Sequence, residues 1–277
     1  MKFWKYNGIG NDFVLVDCIN SDVEIDAERC KLVCDRNYGV GADGVIFLLP
    51  GEGTDVRMRV INSDGSEAEM CGNGIRCLAK HAYDKKIVHK KEFTVGTPAG
   101  VKTVKVFLDA GEAVTVKVDM GAPILEGRKI PIDLDGEFID RPFEVNGCKI
   151  KGNAVSMGNP HFVTFSELSD NEIRQLGPMI EKHPLFPRRT NVEFCRVKDG
   201  DIHITVYERG AGWTLACGTG ACASATAAAL NGLVPFDKPI DVRLPGGWLK
   251  ITVEKGLGHV HMEGPAALVY EGSIKDE

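Results

Sequence analysis

The sequence predicts two similar domains, each of which mixes α-helices with β-strands. The chain has 277 residues, 43% of them apolar, and is therefore longer than one hydrophobic core usually extends. Short motifs of the first half recur in the second half at a nearly constant offset. Strand-like and helix-like patterns occur in both halves. These three observations together favour a duplicated domain over a single fold.

The repeat is clearest around two cysteine motifs, Met70-Cys71-Gly72-Asn73-Gly74 and Ala216-Cys217-Gly218-Thr219-Gly220. With Cys71 placed on Cys217, residues 60–77 align without a gap on residues 206–223. The offset is about 146 residues, which indicates a duplicated unit of domain size rather than a solenoid. We place the join near Gly121-Ala122-Pro123. Three further pairs keep the same order: Gly10-Asn11-Asp12-Phe13 with Gly158-Asn159-Pro160-His161, Gly44-Val45-Ile46-Phe47 with Asn191-Val192-Glu193-Phe194, and Pro98-Ala99-Gly100 with Pro245-Gly246-Gly247.

Secondary-structure patterns occur in pairs, one in each half. Apolar spacing and end signals predict helices, and apolar–polar alternation predicts strands and hairpins. A strand precedes each cysteine motif and a helix follows it. The predicted helices are 26–36, 75–85, 171–182 and 221–230, the strands before the motifs are 56–61 and 202–207, and the hairpins are 104–118 and 249–262.

Charge and hydropathy exclude several classes of protein. Lys and Arg total 33 against 39 Asp and Glu, and the net charge of -6 is spread along the chain. We therefore expect no nucleic-acid partner. No segment resembles a signal peptide or approaches the roughly 20 apolar residues that span a bilayer. The sequence predicts a cytoplasmic protein without a membrane partner.

The nine cysteines are an odd number in a chain of ordinary size, which argues against a secreted disulfide framework. No Cys-x2-Cys pair is present, so we expect no metal site. Most of these cysteines should be reduced, buried and inert. Cys71 and Cys217 are the exceptions, because the duplicated motif keeps a thiol at both positions.

Each motif cysteine is predicted to lie at the N-terminus of a helix. The positive end of the helix dipole favours anions there, and we expect it to lower the pKa of each thiol. The adjacent glycines leave the backbone N–H groups open to a carboxylate. Two such thiols could act on one carbon next to a carboxylate, one removing a proton and the other returning a proton to the opposite face. That reaction inverts the centre without a cofactor.

The chain resembles the diaminopimelate epimerase family over nearly its whole length. The family interconverts LL- and meso-2,6-diaminopimelate, on the route to lysine and peptidoglycan, without pyridoxal phosphate or metal. The resemblance therefore implies an isomerase with Cys71 and Cys217 as its acid and base. It rests on these segments: Gly8-Ile9-Gly10-Asn11-Asp12-Phe13, Gly41-Ala42-Asp43-Gly44, Asn62-Ser63-Asp64-Gly65-Ser66, Met70-Cys71-Gly72-Asn73-Gly74-Ile75-Arg76, Gly158-Asn159-Pro160-His161, Thr190-Asn191-Val192-Glu193, Tyr207-Glu208-Arg209-Gly210 and Ala216-Cys217-Gly218-Thr219-Gly220.

The resemblance also implies the residues around the substrate. His161 and Glu208 would assist the two thiols in handling protons. A substrate with two amino acid ends needs acceptors for its ammonium groups and donors, such as a guanidinium, for its carboxylates. The implied substrate-binding residues are Asn11, Asn62, Gly72, Asn73, Asn159, Asn191, Glu208, Arg209, Gly218 and Thr219. Gly44 stands where many members of the family have glutamine, so we expect no side-chain contact from that position.

The fold implied by the resemblance is α+β. It consists of two pseudo-symmetric domains, each a mostly antiparallel sheet curled around a central helix, with the active site in the cleft between them. A strand near 268–270 would return to the first domain. The predicted domains are therefore 1–120 with 265–277, and 121–264. A homodimer is a further expectation from the family.

Two alternatives stay open on the sequence. The first is another cofactor-independent racemase or epimerase of the same fold, such as proline racemase or hydroxyproline epimerase. Those enzymes typically carry a histidine after the first Cys-Gly, where this chain has Asn73. The second is a non-enzymatic redox sensor in which Cys71 and Cys217 form a disulfide.

Overall fold

The computed structural model describes residues 1–21 and 26–275. The chain divides into two compact units, Met1–Asp119 with Glu263–Glu277, and Met120–Met262. Residues 22–25 and 276–277 of the predicted N-terminal domain lie outside the described residues. The helices among the described residues are too short or too polar to cross a lipid bilayer.

The first unit contains a mixed sheet in which most neighbouring strands are antiparallel. β1 pairs with β2 and with the C-terminal β18, so the last strand of the chain completes the first unit. β2 and β3 are parallel, and β3 and β4 are antiparallel. β4 continues antiparallel to β5 and parallel to β6, and β6, β7 and β8 form a meander. The strands are β1 Lys2–Gly8, β2 Asn11–Asp17, β3 Gly44–Pro50, β4 Val56–Asn62, β5 Glu67–Ala68, β6 Glu92–Thr97, β7 Gly100–Asp109, β8 Glu112–Asp119 and β18 Ala267–Ser273.

The second unit repeats these pairings. β10 and β11 are antiparallel, β11 and β12 parallel, and β12 and β13 antiparallel. β13 then pairs antiparallel with β14 and parallel with β15, and β15 pairs with β16. β9 pairs with β10 as β18 does with β1. The strands are β9 Arg141–Val145, β10 Cys148–Ser156, β11 Pro160–Thr164, β12 Asn191–Lys198, β13 Asp201–Glu208, β14 Gly212–Thr214, β15 Ile240–Leu244 and β16 Gly247–Val253. The next strand, β17 Val260–Pro265, begins in the second unit and ends in the first.

Each unit has one central helix and one outer helix. The central helices are α2 Gly72–Asp84 and α4 Gly218–Leu230, and nearly all their residues are buried against the strands of their own unit. The alanine-rich sequence of α4 favours a helix and lets the strands approach closely. The outer helices are α1 Ala27–Cys34 and α3 Asp170–Glu181, and a 3₁₀ turn occupies Gly127–Lys129. α1 covers the core around Val14, Val45 and Phe47.

The predicted helices and strands are confirmed, with shifts at their ends. α1 and α3 lie within the ranges predicted for them to about two residues. α2 and α4 begin about three residues earlier than predicted, because the helices start at the glycines themselves. The predicted hairpin at 104–118 is the antiparallel pair of β7 and β8.

Candidate active site

Both motif cysteines are the N-caps of the central helices. Their backbones are extended, with φ and ψ of -135° and 108° at Cys71 and -125° and 106° at Cys217. Each sulfur accepts a hydrogen bond from the third N–H of its helix, Gly74 N or Gly220 N, at 3.4 Å. A thiol thus takes the capping position that serine or aspartate usually fills. The predicted placement of both thiols at helix N-termini is confirmed.

The two capping turns need glycine for different reasons. A Cβ on Gly74 would lie 3.1 Å from the Ile46 side chain and 3.4 Å from the Cys71 sulfur. A Cβ on Gly220 would lie 2.7 Å from Glu193 Oε1 and 3.2 Å from the Cys217 sulfur. The glycine of α4 therefore makes room for a carboxylate, whereas the glycine of α2 makes room for a methyl group.

In the first unit, Asn11 joins Cys71 to an ionic network. Asn11 Nδ2 donates to Asp43 Oδ2 at 2.6 Å, and Asn11 Oδ1 faces the Cys71 sulfur at 4.0 Å. The same oxygen accepts from Asn73 Nδ2 at 3.3 Å. Asp43 also pairs with Arg36 at 2.9 Å. Because a carboxylate only accepts, Asp43 holds Asn11 by its NH2 group and leaves the carbonyl oxygen beside the thiol.

Asn62 lies at the end of β4 and is half-buried, with its Nδ2 donating to Ser66 Oγ at 3.0 Å. The first unit thus brings Asn11, Asn73 and Cys71 together by direct contacts.

At Gly44, a Cβ would come within 2.9 Å of the Ile61 carbonyl oxygen. This backbone leaves no room for a side chain at that position.

In the second unit, a buried pair lies beside Cys217. His161 Nδ1 and Glu193 Oε1 are 2.7 Å apart, and both side chains are fully buried. His161 Nε2 lies 3.0 Å from Asn159 Oδ1. One ligand atom each of His161, Glu193 and the Cys217 thiol lie within 4.8 Å of one another. The predicted proximity of His161 to a thiol is therefore seen, and Glu193 joins it.

These three groups are of the kinds that bind transition metals, and their spacing could hold an ion. Glu193 Oε1 and His161 Nδ1 already face each other at hydrogen-bonding distance. A metal between them would have to replace that contact. The expectation of no metal stays a prediction.

Glu208 ends β13 and also faces Cys217. Thr214 Oγ1 donates to Glu208 Oε1 at 2.5 Å. Burial raises the pKa of the Glu208 carboxyl above its ordinary value, and hydrogen bonds from Thr214 and Cys217 lower it in part. The Cys217 sulfur also lies 3.5 Å from Thr219 Oγ1.

The expectation that the helix dipole lowers the thiol pKa is wrong for Cys217. Burial raises the pKa of Cys217 well above the ordinary value, and the negative charges of Glu208 and Glu193 add to the rise. The hydrogen bonds from Thr219 and Gly220 oppose it without overcoming it. The dipole of one helix end is a smaller effect than desolvation among two carboxylates.

Asn191 and Arg209 are tied to each other. Asn191 is buried, its Oδ1 accepts from Arg209 N at 2.9 Å, and its Nδ2 donates to Pro160 O at 3.0 Å. Asn191 therefore braces the backbone on both sides of the site. The Arg209 side chain is exposed and donates to Arg188 O at 3.2 Å.

The remaining motif positions lie in the first turns of the central helices, where N–H groups lack helical partners. Gly72 and Gly218 open α2 and α4 and are buried. Asn73 is buried and accepts from Arg76 Nη2 at 3.0 Å, whereas Thr219 is half-buried. The four positions fit the predicted use of these turns for a carboxylate.

Glu193 and Asp43 are absent from the predicted site, although both lie within quoted motifs. The signal for Glu193 was its alignment with Ile46, since an acid stands in the second half where the first half has an apolar residue. The signal for Asp43 was weaker, because aspartate before a glycine usually marks a turn.

The cysteines expected to be inert are mostly buried. Burial raises the pKa of Cys18 and Cys30 to about 11, and that of Cys34 and Cys77 to about 12. All nine cysteines have free thiols. High pKa values keep buried thiols protonated and unreactive.

A surface cavity of about 300 Å³ in the second unit lies apart from these residues. Its lining includes Asp170, Phe194, Arg196, His203 and Arg243, and none of the predicted site residues. It is therefore not the candidate site.

The family model for diaminopimelate epimerase matches residues 3–126 and 153–269. The chain belongs to the diaminopimelate epimerase family. Its match to the diaminopimelate epimerase of Acetivibrio thermocellus is 46% identical over 277 residues and covers 99% of this chain and 98% of the relative. Its match to the diaminopimelate epimerase of Moorella thermoacetica is 47% identical over 278 residues and covers 99% of both. The predicted family is confirmed.

Solved structures share the fold at low identity. A probable proline racemase from Agrobacterium radiobacter K84 has a TM-score of 0.74 and 14% identity, over 100% of this chain and 93% of that one. A hydroxyproline epimerase from Agrobacterium vitis has a TM-score of 0.72 and 14% identity, over 99% of this chain and 90% of that one. The predicted α+β fold is confirmed. At this identity the likeness concerns the fold alone, and membership of the diaminopimelate epimerase family rests on the sequence relatives.

Proposed function

We propose that this chain interconverts LL- and meso-2,6-diaminopimelate, using Cys71 and Cys217 as the two acid–base groups and no cofactor. The observation that carries the proposal is the thiol N-cap that occurs once in each unit. The names of the relatives supply the substrate. The domain division 1–120 with 265–277 and 121–264 belongs to the same proposal.

The reaction begins with removal of the α-proton by one thiolate. The electron pair left on the carbon delocalises into the adjacent carboxylate, whose charge grows. N–H groups at the first turns of α2 and α4, including those of Gly72, Asn73, Gly218 and Thr219, would stabilise that charge. The other thiol then donates its proton to the opposite face, and the two cysteines exchange protonation states.

The pKa of Cys217, raised by burial, supports a protonated Cys217 in the substrate-free protein. A buried thiol beside two carboxylates is a poor resting thiolate and holds the proton that the reaction has to deliver. In that protonation state, Cys71 would remove the α-proton first. The reverse reaction starts from the opposite state.

The binding roles follow from hydrogen-bonding capacity. Glu208 and the Asn11 carbonyl are acceptors for ammonium groups, and Arg209 is a donor for a carboxylate. Asn62, Asn159 and Asn191 complete the set that surrounds the substrate. His161 and Glu208 lie beside Cys217 and would adjust its protonation.

The test is incubation of the reduced protein with LL-diaminopimelate in deuterated water, with neither pyridoxal phosphate nor metal added. We expect meso product carrying deuterium at one α-carbon. Treatment with EDTA should leave the rate unchanged. Absence of both epimerisation and exchange would refute the proposed activity. L-proline and trans-4-hydroxy-L-proline, offered as alternative substrates, should not react.

The cytoplasmic location and the homodimer are proposed on the family resemblance. Sedimentation of the purified protein measures its mass. A mass of one chain at micromolar concentration would contradict the homodimer.

A further inference from the structure

A buried arginine lies against the first turn of α2. Arg76 is fully buried. Its Nη1 donates to Gly72 O at 2.9 Å, and its Nη2 donates to Asn73 Oδ1 at 3.0 Å. Its Nε donates to Pro265 O at 3.3 Å. A guanidinium is not deprotonated in proteins, and a buried charge costs free energy unless hydrogen bonds compensate it. A fixed positive charge therefore lies at the helix start that Cys71 caps.

This arginine is a feature of the first unit. In the alignment that places Cys71 on Cys217, Arg76 falls on Cys222. Cys222 is also buried, one turn into α4. Because α4 forms the same capping turn with a cysteine at this position, the turn itself does not require a guanidinium.

Arg76 acts on the peptide group between Gly72 and Asn73, which contains the Gly72 carbonyl and the Asn73 N–H. A helical carbonyl already accepts the N–H four residues on, and the second lone pair of Gly72 O accepts Arg76 Nη1. Hydrogen bonds in series polarise one another, so a charged donor on the oxygen makes the N–H of that peptide a stronger donor. Under the proposed function, the Asn73 N–H is one of the groups that bind the substrate carboxylate.

Arg76 also fixes the direction of a row of side chains that ends beside Cys71. Because a guanidinium only donates, Asn73 must turn its Oδ1 to Arg76 and its Nδ2 away. That Nδ2 donates to Asn11 Oδ1 at 3.3 Å, and Asn11 Nδ2 donates to Asp43 Oδ2 at 2.6 Å. A guanidinium at one end and a carboxylate at the other leave one direction for the row. The row holds Asn11 Oδ1 at 4.0 Å from the Cys71 sulfur.

Resting on the proposed function, we propose that Arg76 is a positioning residue for the carboxylate site at the start of α2. It polarises the peptide between Gly72 and Asn73 toward the carboxylate next to the reacting carbon. Through Asn73 it also holds Asn11 beside Cys71. The negative charge on that carboxylate grows as the α-proton leaves, so a stronger donor stabilises the transition state more than the bound substrate. Loss of Arg76 therefore lowers kcat more than it raises KM.

The first experiment detects the polarised peptide without turnover. Protein with ¹³C in its glycine carbonyls and ¹⁵N in asparagine gives carbonyl-to-nitrogen correlations from Gly-Asn peptides alone. These peptides are residues 10–11, 72–73, 152–153 and 158–159. The variant Asn73→Ser removes the 72–73 signal and so assigns it.

The comparison is between the wild type and Arg76→Met, which has an unbranched, neutral side chain. We expect the Gly72 carbonyl signal to move to lower frequency in the variant, as a carbonyl signal does when a hydrogen bond to the oxygen is lost. The signals of 152–153 and 158–159, in the second unit, should stay in place. An unchanged Gly72 signal in a protein with intact second-unit signals would overturn the proposal.

The second experiment measures kcat and KM for LL-diaminopimelate. We expect kcat to fall about tenfold in Arg76→Met, the scale of one lost hydrogen bond to a charged group, with a smaller change in KM. Arg76→Lys, which keeps the charge, should recover part of the loss. Cys222→Ala, the matched change one turn into α4, should keep kcat near that of the wild type.

Circular dichroism measures the fold of each variant at the assay temperature. If Arg76→Met does not fold, Arg76→Gln, which is neutral and polar, takes its place with the same expectations. The positioning role is overturned if the folded neutral variant keeps the wild-type kcat, loses activity through KM alone, or is no less active than Arg76→Lys. If the wild type itself does not epimerise diaminopimelate, the proposed function fails, while the spectra still decide whether Arg76 polarises the peptide.

Discussion

Cys217 lies among the Glu208 carboxylate, the buried pair of His161 and Glu193, and the Thr219 hydroxyl. In the first unit, Asn11 faces Cys71. Burial and the negative charges of Glu208 and Glu193 therefore raise the pKa of the Cys217 thiol. A two-base reaction requires one thiol and one thiolate at a time. The raised pKa of Cys217 favours a protonated Cys217 in the resting protein.

Replacing either cysteine by serine should abolish most of the activity while keeping the fold. Serine is a good N-cap, so the helix start survives in Cys71→Ser and Cys217→Ser. A hydroxyl is a far weaker acid than a thiol, and we expect kcat to fall about 100-fold or more in each variant. Steady-state kinetics and circular dichroism measure the two effects. Turnover near that of the wild type in either variant would contradict the two-base scheme.

Glu208→Gln should stabilise the protein at neutral pH and not in acid. Because burial raises the pKa of Glu208, the folded state holds its proton more firmly than the unfolded state does. The stability linked to this proton is fully present below the unfolded pKa and is lost as the pH rises through the folded pKa. Glutamine carries no charge, so the variant does not lose this stability as the pH rises. Its Tm should therefore exceed that of the wild type at pH 8 and match it near pH 4.

Thermal unfolding of both proteins at both pH values measures the direction of this difference in Tm. A Tm that is lower than that of the wild type at pH 8 would show that the Thr214 hydrogen bond outweighs the burial of the charge. Activity should fall in the same variant, since the proposed ammonium acceptor loses its charge.

At the scale of residues, the sequence predicted that both thiols lie at helix N-termini and that His161 lies near one of them. It did not predict the pKa of Cys217, because desolvation depends on the strands that pack around the helix end. Glu193 is a second example. Its contact with His161 arises because β12 lies beside β11.

At the scale of the helix, the capping turns of α2 and α4 differ in their tolerance of a side chain. Gly220→Ala would place a methyl group 2.7 Å from Glu193 Oε1, in a buried pair that has little room to move. Gly74→Ala would meet the end of the Ile46 side chain at 3.1 Å, which can shift to another rotamer. In a free helix, alanine would be the better residue by about 1 kcal/mol.

We therefore expect Gly220→Ala to lower kcat by about tenfold or more, through displacement of Glu193 and the Cys217 sulfur, as is typical of misplaced supporting residues. Gly74→Ala is the matched variant and should retain more activity and a higher Tm. Equal losses in the two variants would indicate that the close contact with Glu193 is unimportant.

The elements were predictable from periodicity, but the starts of α2 and α4 were not. Glycine is unfavourable inside helices, so a propensity argument begins each helix after the last glycine of the motif. The thiol cap and the buried first turn overrule that preference. The order of parallel and antiparallel pairs also had to come from the structure, since local patterns do not state which strands meet.

For the whole molecule, the repeated order of strand pairings explains how one chain provides two thiols of the same local geometry. The units share backbone and helix caps, and they diverge at the pairs Phe13 with His161, Ile46 with Glu193 and Asn62 with Glu208. Under the proposed function, duplication supplies the two thiols, and the polar substitutions in the second half would suit a substrate of which only one end reacts.

A reaction that uses one thiol from each unit leaves a distinct isotopic record. Each proton removed is held by one cysteine, while the proton delivered comes from the other cysteine, which has equilibrated with solvent between turnovers. Early in a reaction started from LL-diaminopimelate in deuterated water, product should therefore contain deuterium at the inverted carbon while the remaining substrate stays unlabelled. Mass spectrometry of both pools at less than about one-tenth conversion measures this. A single base serving both faces would return label to substrate as readily as to product, and equal labelling of the two pools would exclude a separate acid and base.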